Sequence, residues 1–300
     1  MVSSKKGVIT KQVELILSSR QHAFLYALVF ALLPYTSWLA MVVVALVTLR
    51  KGEHEGGRLV LGVMVAHTLV SLVSQAPLVA IANTSIFFVP GFIAACTLRV
   101  TSAWLAVAAA LFLQVLIGAV VIQLLIPEWI GAQYAVILSI LKASQPDQVM
   151  SKWLSDPARL PDMVMANYAF GVQLMTAVLS ILLSLMMARA LQAKVCNPGG
   201  FAQEMLTFRG NRFSFLLMLV LLVGAWQWNS VAMNVLPVLA LFYLMAGLSL
   251  CASLLINKVS RFLLVILLLP LILLPFVMAP LYVFLGMLDS VFNIRLAFCR

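Results

Sequence analysis

From Ala23 onward the chain alternates long apolar runs with short polar connections. The runs lack the polar face, repeating near every 3.6 residues, that a helix lying on a soluble core would carry. Runs of about twenty residues that are apolar all round predict helices crossing a bilayer, since a helix satisfies every backbone polar group within its own segment. The pattern therefore predicts an all-α fold: a polytopic transmembrane helical bundle of about eight membrane helices, some of them short or broken.

In chain order, residues 1–21 read as a basic cytoplasmic segment, with Lys5, Lys6, Lys11 and Arg20 set against Glu14. Its Val8, Ile9, Val13, Leu15 and Ile16 suit a helix resting on headgroups. Residues 22–300 form one polytopic membrane domain. Its first run, Ala23 to Leu49, is too long for a secretory core, so no signal peptide is expected. Basic residues at both ends, Arg20 before it and Arg50, Lys51 and Arg58 after it, favour a hairpin broken around Pro34 and Ser37 over a single span. Leu59 to Val79 is the next span. Pro77, Asn83 and Thr84 mark a turn, and the shorter segment Ile86 to Leu98 is interrupted by Pro90 and Gly91. Such an interruption fits either a kinked packing helix or backbone exposed to a ligand.

Ala103 to Ile126 is an uninterrupted span flanked by Trp104 and Trp129, both suited to interfacial belts. The polar stretch near 127–167, with balanced charge, is expected outside. Within it Ser144 and Asp147 resemble a helix start, followed by a surface helix through Trp153 and Leu154. Tyr168 to Leu191 returns to a cytoplasmic loop near 192–213. Ser214 to Trp228 and Val231 to Ile256 form a pair joined at Asn229 and Ser230. The last stretch, Phe262 to Leu288, carries Pro270, Pro275 and Pro280 and fits one crossing or a hairpin, which leaves the side of the C-terminus open.

Composition sharpens this reading. With 64% apolar and 9% charged residues, the chain has too few charges for a soluble surface. The formal charge of +10 would suggest nucleic acid in a soluble protein. Here the basic residues gather at span ends, as the positive-inside rule distributes them, so no nucleic-acid partner is expected and the N-terminus is placed in the cytoplasm. Cys96, Cys196, Cys251 and Cys299 show no paired spacing and no histidine clustering, which predicts neither a metal site, a redox pair nor a disulfide.

No nucleophile triad, paired carboxylates, metal-protease motif or phosphate loop appears, so neither enzymatic activity nor a cofactor is expected. Ionisable groups at depth are few, and His67 is the clearest, able to hydrogen-bond a ligand or a neighbouring helix. Gln75, Asn83, Thr84, Gln114 and Asn234 could join it in lining a neutral polar cavity for a small solute, or serve as interhelical hydrogen bonds. Arg99, near a span end, is expected to snorkel to headgroups. In the central loop Asn197, Pro198, Gly199 and Gly200 favour a turn. Phe201, Met205 and Phe208 then share a helical face, with Glu204 and Arg209 on the polar side. Such a piece suits the inner leaflet or a cytoplasmic protein partner.

At Asn197, Pro198, Gly199, Gly200, Phe201, Glu204 and Arg209 the chain resembles the YybS-like family of bacterial integral membrane proteins. Leu49-Arg50-Lys51-Gly52, Arg99 with Thr101, and Gly286, Leu288, Asp289 and Arg295 extend the likeness along most of the chain. It departs at Met205, Phe208 and Asn293. In hydropathy the family is similar to the S components of energy-coupling-factor transporters. The resemblance implies a bacterial inner-membrane protein that binds or helps transport a small molecule, energised by a separate protein. The alternative is a non-transporting scaffold or assembly factor recruiting a cytoplasmic partner through residues 197–212.

Overall fold

The computed structural model describes residues 8–33, 35–73, 76–144, 160–197, 199–255 and 263–295. Among them there is no strand, and the helices are α1 (Val8–Ser18), α2 (Arg20–Leu32), α3 (Ser37–Lys51), α4 (Glu53–Ser71), α5 (Pro77–Thr101), α6 (Trp104–Leu125) and α7 (Pro127–Ser144). There follow α8 (Asp162–Cys196), α9 (Gly200–Leu206), α10 (Arg212–Trp226), α11 (Ser230–Leu255), α12 (Leu263–Leu273) and α13 (Pro275–Phe292). Five of these are long and apolar enough to cross a membrane, or six if the bent pair α1–α2 counts as one span. This is an all-α membrane protein. Among the shorter helices, α10 is also apolar.

The helices divide into two compact units, the first comprising 1–111 and 177–208 and the second 112–176 and 209–300. At the centre of the first is α3, buried continuously from Ala40 to Leu49. That burial comes from its neighbours, since α2, α4 and α5 all pack on α3. From α8, the Ser184 hydroxyl donates to the Trp38 carbonyl at 3.1 Å. The two-helix reading of the first run holds: α2 stops at Leu32, α3 restarts at Ser37, and the Thr36 hydroxyl closes the turn by donating to the Phe30 carbonyl at 2.6 Å. The expected boundary at residue 21 falls inside α2, which bends by 116° from α1 at Ser19.

Two expectations fail in α5. No turn occurs at Asn83 and Thr84, and Pro90 and Gly91 do not interrupt the helix, which runs for 25 residues. Pro77 sits in the first helical turn, where its missing N–H costs nothing and its fixed φ favours helix. Pro90 removes one hydrogen bond within a helix that α3 and α4 hold from the side, and Gly91 lies buried against Met41.

In the second unit α11 and α13 pack most intimately. A Cβ on Gly247 would overlap the Tyr282 carbonyl, and one on Gly286 would overlap the Tyr243 carbonyl, so glycine is what lets the two backbones meet. The Tyr282 hydroxyl donates to the Leu267 carbonyl at 3.1 Å. In one straight helix, residues so separated would lie roughly 22 Å apart. The chain therefore turns back at Leu274, and the last apolar stretch is two helices laid against one another. Helix α10 starts with a reciprocal cap, the Asn211 side chain accepting from the Ser214 N–H at 2.8 Å.

The stretch near 127–167 is less of a loop than its polarity suggests. Its first part is the 18-residue α7, whose Ile130 and Tyr134 pack with Ala166 and Phe170 of α8. Ser144 is the last described residue of this helix, and the surface helix expected from there through Leu154 lies outside the described residues. Because α8 begins at Asp162, Asn167 is helical and buried, accepting from the Gln123 amide at 2.6 Å.

Candidate functional site

Of the residues expected to line a polar cavity, the structure brings two together. His67 of α4 and Thr84 of α5 do meet, with Nδ1 2.8 Å from the hydroxyl oxygen. The imidazole also stands edge-on to Phe88, ring centroids 5.5 Å apart. This satisfies a buried hydroxyl and joins two helices. Asn83, on the neighbouring position, is exposed. Gln75 lies outside the described residues. Gln114, half-buried, and Asn234 belong to the second unit, while His67 and Thr84 belong to the first. Asn234 is fully buried, and neither its amide nitrogen nor its amide oxygen has a hydrogen-bond partner among the described residues.

The central loop turns inward, against expectation for Glu204. Gly199, at φ 92°, supplies the left-handed turn that starts α9, and Gly200 sits against Asn197. Pro198 is outside the described residues. Instead of facing solvent, Glu204 accepts from Arg189 Nε through both carboxylate oxygens, at 3.2 and 3.1 Å, and from the Trp104 indole N–H at 3.1 Å. The Phe201 ring stands edge-on to the same indole, centroids 6.3 Å apart. Trp104 is thus buried within the protein, and Phe208 is buried as well. Burial pushes the Glu204 carboxyl up, but the hydrogen bonds from Arg189 and Trp104 and the Arg189 charge outweigh it and hold it below the usual glutamate range. Arg209 is half-buried and falls in the second unit.

Arg99 is exposed and reaches the end of a neighbouring helix. Its Nη1 donates to the Thr48 and Leu49 carbonyls, both at 3.0 Å, completing the C-terminus of α3 beside Gly52. In the second unit the buried Asp289 accepts from Arg295 Nε at 3.0 Å, and Arg295 Nη2 donates to Ser249 at 3.2 Å. Arg99 and Arg295 thus each join their own helix region to a segment far away in sequence. Among the described residues, no group of three or more His, Cys, Asp or Glu side chains converges as a metal would need.

The feature that hydropathy did not reveal is a groove of about 610 Å³ among α2, α3 and α4. Ala23, Phe24, Leu25, Val47 and Leu59 give it apolar walls, and Arg20, Lys51, Glu55 and Arg58 give it a charged rim. Glu55 accepts from Arg20 at 2.7 Å and lies 3.6 Å from Arg58. Phe24 reaches the wall because α4 has Gly62 opposite it, where a Cβ would strike the ring. A second cavity of about 390 Å³, lined by Glu14, Ser18, Arg50 and Lys51 among others, shares Lys51 with the first. In the sequence these cations read only as topological charges. The Glu55–Arg58 spacing was the one local hint, since residues three apart adjoin on a helix.

Comparison with family models, curated proteins and solved structures returned no match.

Proposed function

We propose that this protein is a non-enzymatic small-molecule-binding component of the bacterial inner membrane, of the YybS-like kind and similar in role to S components. In this reading the N-terminus is cytoplasmic and the ligand is held in the α2–α3–α4 groove. The carrying observation is the groove itself. Its volume of about 610 Å³ lies within the roughly 300–1,000 Å³ of small-molecule sites, and its apolar walls with a few convergent charges match their usual lining. The His67–Thr84 bond supports an interhelical link better than a solute site, because the two groups satisfy each other. The chain shows no phosphate-loop motif, so transport would draw its energy from a separate protein. The scaffold reading needs Phe201 and Glu204 to face a partner, and both are engaged by Trp104 and Arg189.

Native mass spectrometry of protein gently extracted from its own membrane tests this reading, with Val47→Trp as a groove-filling variant. A stoichiometric small molecule on the wild type, absent from the folded variant, is the expected result. Wild-type protein carrying none, or an equal load on both proteins, overturns it.

A further inference from the structure

We propose that the groove binds a phosphate-bearing anionic lipid, its headgroup held by Arg20, Lys51 and Arg58; this rests on the groove being the binding site.

The first argument is charge. Three cations line the groove and face one carboxylate, Glu55, so the rim retains positive charge even with both arginines leaning on that carboxylate. The arginine side chains are 73% and 74% exposed, and ion pairs so exposed contribute little. They can re-aim at an incoming phosphate at small cost, and guanidinium matches phosphate geometry through paired N–H donors.

The second argument is what lies beneath the rim. On α4, Leu61, Val65 and Leu69 follow Arg58 along one face, and all three are more than 60% exposed. The eleven steps from Arg58 to Leu69 rise roughly 16 Å along the helix. That matches about half of a ~30 Å hydrocarbon core, the depth of a single leaflet. Phe24 and Leu25 begin a comparable exposed apolar face on α2, beside Gly62 of α4. Apolar side chains exposed anywhere on a membrane helix would say nothing. Here two such faces descend from the same cationic rim, as a headgroup with its acyl chains requires. A water-soluble phosphate compound would use the rim and leave both faces without a role.

The test uses the full-length protein in detergent, titrated with phosphatidylglycerol, phosphatidylcholine or inorganic phosphate and read by native mass spectrometry. Phosphatidylglycerol is expected to bind at least tenfold more tightly than phosphatidylcholine. The double variant Arg20→Ala/Arg58→Ala should lose roughly thirty-fold in that affinity, at a factor of several per basic residue. The double Arg→Lys variant, keeping the charge, should recover most of it and show that the alanine variant did not merely misfold. Equal binding of the two lipids, or an alanine variant that binds like wild type, overturns the proposal. Inorganic phosphate competing as well as phosphatidylglycerol overturns the lipid source. A bound molecule without phosphate, displaced by Val47→Trp, would end the lipid proposal while leaving the groove as a binding site. No bound molecule of any kind would end both.

Discussion

Arg189 near the end of α8 and Glu204 on α9 form a forked ion pair fifteen residues apart, in which guanidinium Nε reaches both carboxylate oxygens at 3.1–3.2 Å. The pair also holds the Trp104 indole, so one carboxylate fixes the central loop to the start of α6 and the end of α8. Arg189 further donates to Gln192 at 2.8 Å, which keeps the guanidinium plane aimed at the acid.

Because the folded carboxyl of Glu204 titrates below the ordinary value of about 4.3, its contribution is fully present above that value. It is lost as pH falls through the lower folded value. Thermal unfolding in detergent should therefore show a stability decline at acid pH that Glu204→Gln lacks. At neutral pH the variant should cost roughly 1.5–3 kcal/mol, since it leaves Arg189 without its charged acceptor. A variant matching wild type at pH 7 would remove the pair from the account of the loop.

His67→Ala should weaken the α4–α5 contact by roughly 1 kcal/mol through loss of the bond to Thr84. It should leave any molecule bound in the groove in place. Loss of that molecule with an unchanged melting temperature would restore His67 to the binding site.

Asn234→Leu should leave the melting temperature unchanged or raise it. Both amide atoms are buried without partners among the described residues, and an isosteric apolar side chain removes their desolvation cost. A drop of several degrees would mean that the amide is held by a partner when the protein is in its membrane.

Gly247→Ala should disrupt the second unit, because its Cβ would meet the rigid Tyr282 backbone and overpacking of this kind costs about 1–3 kcal/mol or more. Gly118→Ala in α6 is the matched control. Among the described residues nothing lies within 4 Å of a Cβ placed there, so it should gain up to about 1 kcal/mol of helix propensity. Monodisperse elution and melting temperature of the two variants give the comparison.

The spans that hydropathy placed well are those where nothing but apolar length mattered. Helix α6 starts and stops within a residue of its apolar run, and the α10–α11 turn falls at Asn229 as its polarity suggests. Proline misled at α5, because a proline within a helix's first turn promotes what a proline in an interior would break. At α7 the polar ends Glu128 and Lys142 hid an apolar middle that packs on α8.

The sequence by itself determined that the protein is a helical membrane protein, because a bilayer core forces each segment to satisfy its own backbone and to be apolar over its whole length. Those are local conditions, and local composition records them. Only the tertiary structure decided which polar groups meet. Arg99 with α3, Arg189 with Glu204, and Arg20 and Arg58 with Glu55 are partners by proximity across a fold. Hydropathy gives each of these side chains the same reading, a charge near the end of a span. The groove exists for the same reason: its walls come from three helices, and no single stretch of chain contains it.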